Sequence, residues 1–210
     1  MITIILADDH PTTRAGLHTI LEAVSDIQIV GEAQDGFEAM KLVERFQPKI
    51  LLLDLKMPGP RPAEIEKWVR TNYPNTITLI LTGHDRDYYL SSMMKAGVAG
   101  YLNKNEPSER LIEAIHKAAN GEKVFTTEQY IRAQNWRDQA GEKYESLTER
   151  ERQIIHALLK GFDNATIASS LDVTAKTIAS HINSILGKLE VNSRLEAVTW
   201  VHNYLSDDLE

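Results

Sequence analysis

Asp54 closes the apolar run Ile50-Leu51-Leu52-Leu53 and is followed at once by Leu55-Lys56-Met57-Pro58-Gly59. Asp8 and Asp9 end Ile2-Thr3-Ile4-Ile5-Leu6-Ala7, Thr82 ends Ile77-Thr78-Leu79-Ile80-Leu81, and Lys104 follows Gly100-Tyr101-Leu102. Three acids, one hydroxyl and one ammonium thus stand at the ends of strand-like runs. Carboxylates that converge raise each other's pKa unless a cation sits among them. Oxygen-only ligands on a partly open site suit Mg²⁺, which keeps waters and takes one or two carboxylates plus phosphate. An Asp beside such an ion is a competent nucleophile for phosphoryl transfer. The transferred group needs its equatorial oxygens neutralised, and Lys104 supplies a point charge there while Thr82 supplies a hydrogen-bond donor. Any one of these residues alone reads as a cap, a turn or a solvated group. The set of five is much harder to explain that way.

The elements that must position them alternate over the first 120 residues. Strands are predicted at 2–7, 27–33, 50–54, 76–82 and 99–102, and helices at 11–24, 35–46, 63–72, 86–96 and 107–120. Pro11 suits a first helical position, and Asp35 with Glu38 reads as a capping-box variant. Continuous apolar strands imply burial on both faces, as in a parallel sheet covered by helices. Strict alternation predicts a doubly wound α/β domain with a five-stranded parallel sheet. Such folds bind ligands at the carboxyl ends of their strands, where all five residues fall.

Residues 122–146 read as a linker that can be helical in part, with Ala140-Gly141-Glu142-Lys143 as a joint. From 147 to 210 the pattern is only helical, with four helices expected at 148–160, 164–171, 175–189 and 194–205. Thr148 with Glu151 and Ser193 with Glu196 are capping boxes, and Thr174 is a plausible N-cap. The short turn Asp172-Val173-Thr174 between two helices suggests helix-turn-helix. On the 175–189 helix, Ile178, Ile182, Ile185 and Leu189 form a core face. Lys176, Ala179, Ser180, Asn183 and Gly187 lie opposite, a small polar face of a kind that enters a major groove, although a solvated surface would look the same. Thr177, His181 and Lys188 flank it, and Lys176, Lys188 and Arg194 are the candidate phosphate contacts.

Composition narrows the partners. Net charge is −7, and segments 1–121, 122–146 and 147–210 carry −3, −1 and −3, so nucleic-acid binding would need a local patch. The absence of cysteine excludes disulfides and thiolate chemistry. No apolar run approaches the roughly 18 residues of a membrane span. The amino terminus runs straight into a strand-like segment, so no secretory signal is expected.

The motifs Leu6-Ala7-Asp8-Asp9-His10, Leu52-Leu53-Asp54-Leu55-Lys56-Met57-Pro58-Gly59, Leu81-Thr82-Gly83 and Gly100-Tyr101-Leu102-Asn103-Lys104 resemble a response-regulator receiver domain of two-component signalling. Leu147-Thr148-Glu149-Arg150-Glu151-Arg152, Thr174-Ala175-Lys176-Thr177-Ile178 and Lys188-Leu189-Glu190-Val191 resemble a LuxR-type helix-turn-helix. Together the chain is similar to the NarL/FixJ class. The resemblance implies a flavodoxin-like receiver over 1–121 and an all-α four-helix DNA-binding domain over 147–210. It implies that Asp54 accepts a phosphoryl group from a sensor histidine kinase, and that Asp8, Asp9, Asp54 and the Lys56 carbonyl hold Mg²⁺. Thr82 and Tyr101 would be a switch pair, Tyr101 filling space that Thr82 vacates; alone, Tyr101 reads as a half-buried packing aromatic. The third helix of the output domain would read double-stranded DNA, with homodimers on activation and a cytoplasmic location. Four residues depart from the pattern, among them Asn105, which follows Lys104 where many receivers have Pro. Lys56 and His84 flank the mouth and could govern water access, or be solvated surface. Ala179 stands where relatives commonly carry Lys, which leaves base contact to Ser180 and Asn183. Two other readings compete: a Mg²⁺-dependent phosphohydrolase, and an adaptor with no DNA affinity.

Overall fold

The structure, a computed structural model, describes residues 1–205, so the last five residues of the predicted 147–210 domain lie outside it. The chain divides into two compact units, Met1–Asp85 with Tyr89–Ile131, and Arg86–Tyr88 with the chain from Arg132 onward.

In the first unit, strands β1 (Ile2–Ala7), β2 (Ile27–Ala33), β3 (Ile50–Leu53), β4 (Ile77–Thr82) and β5 (Gly100–Asn103) alternate with helices α1 (Pro11–Glu22), α2 (Gly36–Phe46), α3 (Pro62–Asn72), α4 (Asp87–Ala96) and α5 (Ser108–Ala119). The sheet is parallel throughout, in the order β2-β1-β3-β4-β5. The doubly wound α/β fold expected from the alternation is therefore present. Ile4, Leu6, Ile50, Leu52, Leu79, Leu81 and Leu102 face one side, where they form a core with Leu21 of α1 and Leu111, Ala114, Ile115 and Ala118 of α5. Their alternates Ile5, Leu51, Leu53, Ile80 and Tyr101 are also buried, as two-sided coverage requires. Local chemistry starts the helices. Pro11 occupies the first turn of α1, and Asp35 Oδ1 accepts from Glu38 N at 2.8 Å to cap α2. The Glu38 carboxylate reaches Gln34 N rather than Asp35 N, one residue earlier than a standard capping box.

The unit continues past α5. Val124 N donates to Ala99 O at 2.8 Å, alongside β5. Helix α6 (Thr127–Trp136) opens with Thr126 and Gln129 capping each other, and Gln129 Nε2 donates to Tyr101 O at 2.8 Å.

The second unit is helical. A π-helical turn (Arg137–Gly141) joins α6 to α7 (Glu142–Glu145), so the predicted joint at 140–143 is helix instead. Gly141 sits there because a Cβ would lie 3.1 Å from the Trp136 ring, a packing demand and not a chain break. Helices α8 (Glu149–Leu159), α9 (Asn164–Ser170), α10 (Ala175–Leu189) and α11 (Arg194–Leu205) follow. The expected core face of α10 is buried against Ile154, Ile155, Ile167 and Val201. Thr148 and Glu151 form a reciprocal capping box, and Thr174 Oγ1 accepts from Thr177 N. Asp172 holds a left-handed φ of 52° in the turn between α9 and α10, a conformation Asp tolerates better than most residues.

Gly100 is the most tightly enclosed glycine of the first unit. A Cβ there would lie 2.1 Å from Val124 Cγ2 and 3.0 Å from Leu79 Cδ2. Gly100→Ala is expected to cost about 1–3 kcal/mol through overpacking, read as a lower urea midpoint at unchanged slope.

Candidate functional site

The ends of β1 and β3 are neighbours, with Ala7 opposite Leu53, so the next residues, Asp8 and Asp54, are adjacent. Asp54 N donates to Ala7 O at 2.9 Å, which locks the two strand ends together. Both carboxylates are buried, at 2% and 3% exposure. Two buried charges of one sign need a cation, and Lys104 supplies it. Its Nζ lies 2.8 Å from Asp8 Oδ2 and 2.7 Å from Asp54 Oδ2. Burial works against the Lys104 charge, but the hydrogen bonds and charges of Asp54 and Asp8 outweigh it and raise the Lys104 pKa above its ordinary value. The second oxygens are held by main chain: Leu55 N donates to Asp54 Oδ1 at 2.7 Å and His10 N to Asp8 Oδ1 at 2.9 Å.

Asp9 stands beside them at 30% side-chain exposure, with its Oδ1 2.7 Å from His10 Nδ1. Ligand atoms of Asp8, Asp9, His10 and Asp54 all lie within 4.8 Å of one another. The three carboxylates of that set are hard oxygen donors that fit a divalent cation such as Mg²⁺, while His10 adds an imidazole nitrogen at the exposed side. His10 was absent from the ligands inferred from sequence, although it directly follows the acid pair. Lys56 is half-buried in the loop after β3.

Thr82 and Tyr101, the pair expected to act as a switch, meet through one main-chain residue. Thr82 is fully buried, and its Oγ1 accepts from His84 N at 3.0 Å. Tyr101 is 1% exposed, and its hydroxyl donates to His84 O at 2.5 Å. Lys104 N donates to Thr82 O at 2.9 Å, so the end of β5 is tied to the end of β4.

In the helical unit, Lys176, Ser180, Asn183 and Gly187 of α10 are exposed, while Thr177, Ala179 and His181 are half-buried. The other two candidate phosphate cations are committed inside the unit. Lys188 Nζ lies 2.6 Å from Glu151 Oε2, and the Arg194 guanidinium donates to Asn164 Oδ1 at 3.0 Å and to the Phe162 carbonyl. The capping box at Glu151 was legible in the sequence, but its reach to α10 was not. The same carboxylate accepts from Ser184 Oγ at 2.7 Å, 33 residues along the chain.

Two family models match the chain: the response regulator receiver domain over residues 4–116, and the bacterial regulatory proteins of the luxR family over 145–201. The response regulator protein VraR of Staphylococcus saprophyticus is 35% identical over 206 residues, covering 97% of this chain and 99% of its own. VraR of Staphylococcus aureus is 34% identical over the same span. Among solved structures, RcsB of Salmonella enterica serovar Typhimurium bound to promoter DNA with BeF₃⁻ is similar, with a TM-score of 0.64 and 25% identity over 99% of this chain and all of that one. The receiver domain of NarL from Mycobacterium tuberculosis matches with a TM-score of 0.56 and 30% identity, over 58% of this chain and 98% of that one.

Glu151 makes a pH test possible. Burial opposes its ionisation, but Lys188, Ser184 and Thr148 outweigh it and hold the carboxyl down at about 2, against an ordinary 4.5. A lowered folded pKa gives stability that is full above pH 4.5 and lost as pH falls toward 2. Up to about 3 kcal/mol is at stake by linkage. Glu151→Gln is expected to flatten this acid limb in denaturant titrations of the helical unit's signal between those pH values.

Proposed function

The chain belongs to the response regulators that join a receiver domain to a luxR-type DNA-binding domain, and on that premise we propose that it is a transcription regulator switched by phosphorylation of Asp54. The observation that carries this reading is the Lys104 ammonium shared by Asp8 and Asp54 at adjoining strand ends. A sensor histidine kinase is the proposed donor. One Asp54 carboxylate oxygen attacks phosphorus, the phosphorus–nitrogen bond of the donor histidine breaks, and the imidazole leaves with the electron pair.

Asp8, Asp9 and Asp54, with the Lys56 carbonyl, would hold Mg²⁺. The ion, when bound, supplies positive charge to the phosphoryl oxygens. The chain's own groups do the rest. Lys104 moves its ammonium from the Asp54 carboxylate onto the new phosphoryl oxygens, a short shift because it already touches Asp54. The Thr82 hydroxyl, now accepting from His84 N, turns to donate to the phosphoryl group. That releases one end of residue 84, whose other end is held by the Tyr101 hydroxyl. Tyr101 already lies inward beneath this loop, so in this reading the step that waits for phosphate is the turn of Thr82.

Output lies with α10. Lys176, Ser180 and Asn183 form its exposed face, with Asn183 placed to pair bidentately with adenine and Ala179 to meet a thymine methyl. With Lys188 and Arg194 turned inward, each monomer has few phosphate contacts, which favours binding as a homodimer. No helix among the described residues is long and apolar enough to cross a membrane. The proposed location is the cytoplasm, where kinase and promoter are both within reach.

A small phosphodonor such as acetyl phosphate with Mg²⁺ is expected to add one acid-labile phosphoryl group, seen by intact-mass measurement. Asp54→Asn removes it, and retained labelling in that variant would reject the site. On a DNA motif selected from a random pool, Lys176→Ala is expected to reduce the slope of log affinity against log salt by about 1. Asn183→Ala is expected to cost about 1–3 kcal/mol and relax one base position.

A further inference from the structure

The acid pair at the end of β1 is held from the side of α1 and β2 as well. Asp8 N donates to Ala33 O at 3.0 Å, which ties the end of β1 to the end of β2. Asp8 O accepts from Arg14 Nη1 at 2.6 Å. Arg14 lies one turn into α1, where its own N donates to His10 O at 3.0 Å. One residue thus holds the carbonyls on either side of Asp9, the first with its side chain and the second with its main chain.

The guanidinium is itself anchored. Its Nε donates to Glu32 Oε2 on β2 at 3.1 Å. The other oxygen of that carboxylate, Oε1, lies 2.6 Å from His18 Nδ1, one turn further along α1. Glu32 stands opposite Leu6 in the β1–β2 register, two residues from Asp8. Two nitrogens of one rigid plane are in use, one on the carbonyl and one on Glu32. A lysine ammonium on its flexible stem carries the same charge but not that fork. Arg14 is half-buried and Glu32 exposed, and ion pairs open to water add little stability. What the bridge supplies is a fixed geometry.

Asp9 is the acid for which that geometry matters. Asp8 and Asp54 are held by Lys104 and by main-chain donors. Asp9 stands at the rim, and its place depends on the peptide that joins it to Asp8. That peptide is planar, so a fixed Asp8 carbonyl fixes the Asp9 amide with it. Groups that orient the ligands of a metal act strongly on its affinity.

We propose that Arg14 is a positioning residue for the divalent cation: by holding the Asp8–Asp9 peptide against Glu32, it sets where the Asp9 carboxylate stands. This rests on the reading of Asp8, Asp9 and Asp54 as the Mg²⁺ ligands.

The test titrates the full chain with Mn²⁺, whose free-ion electron paramagnetic resonance signal falls on binding. The unaltered chain is expected to bind one Mn²⁺ that excess Mg²⁺ displaces, and Asp9→Asn is expected to weaken it. Arg14→Lys, which keeps the charge and loses the fork, is expected to weaken Mn²⁺ binding about tenfold. Glu32→Gln is expected to act in the same direction. The double variant is expected to be no weaker than Arg14→Lys alone, because the two side chains act as one unit. Urea transitions show that each variant is folded where its affinity is measured. A lowered urea midpoint with unaltered Mn²⁺ affinity in Arg14→Lys marks a merely structural bridge and would overturn the proposal, while weakening by Asp9→Asn would leave the metal reading standing. An unaltered chain with no Mg²⁺-displaceable Mn²⁺ would overturn both.

Discussion

Lys104 lets two carboxylates remain ionised inside a hydrophobic sheet. Asp8 and Asp54 are almost without solvent, and each would be costly there without a nearby cation. Strand order makes the arrangement possible. β1 and β3 are adjacent although β2 lies between them in sequence, and it is there that the order of connections reverses. The end of β5 then supplies the ammonium across β4, and the bond from Lys104 N to Thr82 O fixes its approach. One ammonium thus balances two carboxylates at a single point.

The helical unit uses the same pairing to a different end. Glu151 is a buried carboxylate satisfied by Lys188, Ser184 and Thr148, and it joins the start of α8 to the middle and end of α10. All its partners come from its own unit and none is left open. Asp54 has Asp9 beside it on the rim, while Glu151 has no comparable opening, so the first pair suits chemistry and the second suits rigidity. The cost falls on the surface of α10, because the lysine that clamps the helix in place is committed to Glu151. That commitment, together with Ala179, leaves α10 an exposed face of low charge.

Much of this was legible from residue order. The apolar runs gave the five strands within one residue at each end, because burial on both faces leaves no polar interruption. The caps at Asp35, Thr148 and Thr174 were readable because a cap is a contact over three residues. Gly141 was misread as a joint, since a glycine required by a neighbouring tryptophan looks in sequence like one required by a turn. His10 was passed over because its place beside Asp9 becomes clear only when both side chains are seen at one rim.

The sequence by itself determined the element types, the parallel sheet and the strand ends at which chemistry gathers, all of which follow from short-range periodicity and capping. Tertiary structure alone decided how each charge is spent. Lys104 meets Asp54 across 50 residues and Lys188 meets Glu151 across 37. Nothing local distinguishes either lysine from a solvated one. Which cations serve phosphate, which serve the core and which remain on the surface depends on what the fold brings within about 3 Å, because an ion pair gains its energy only at contact distance and out of water.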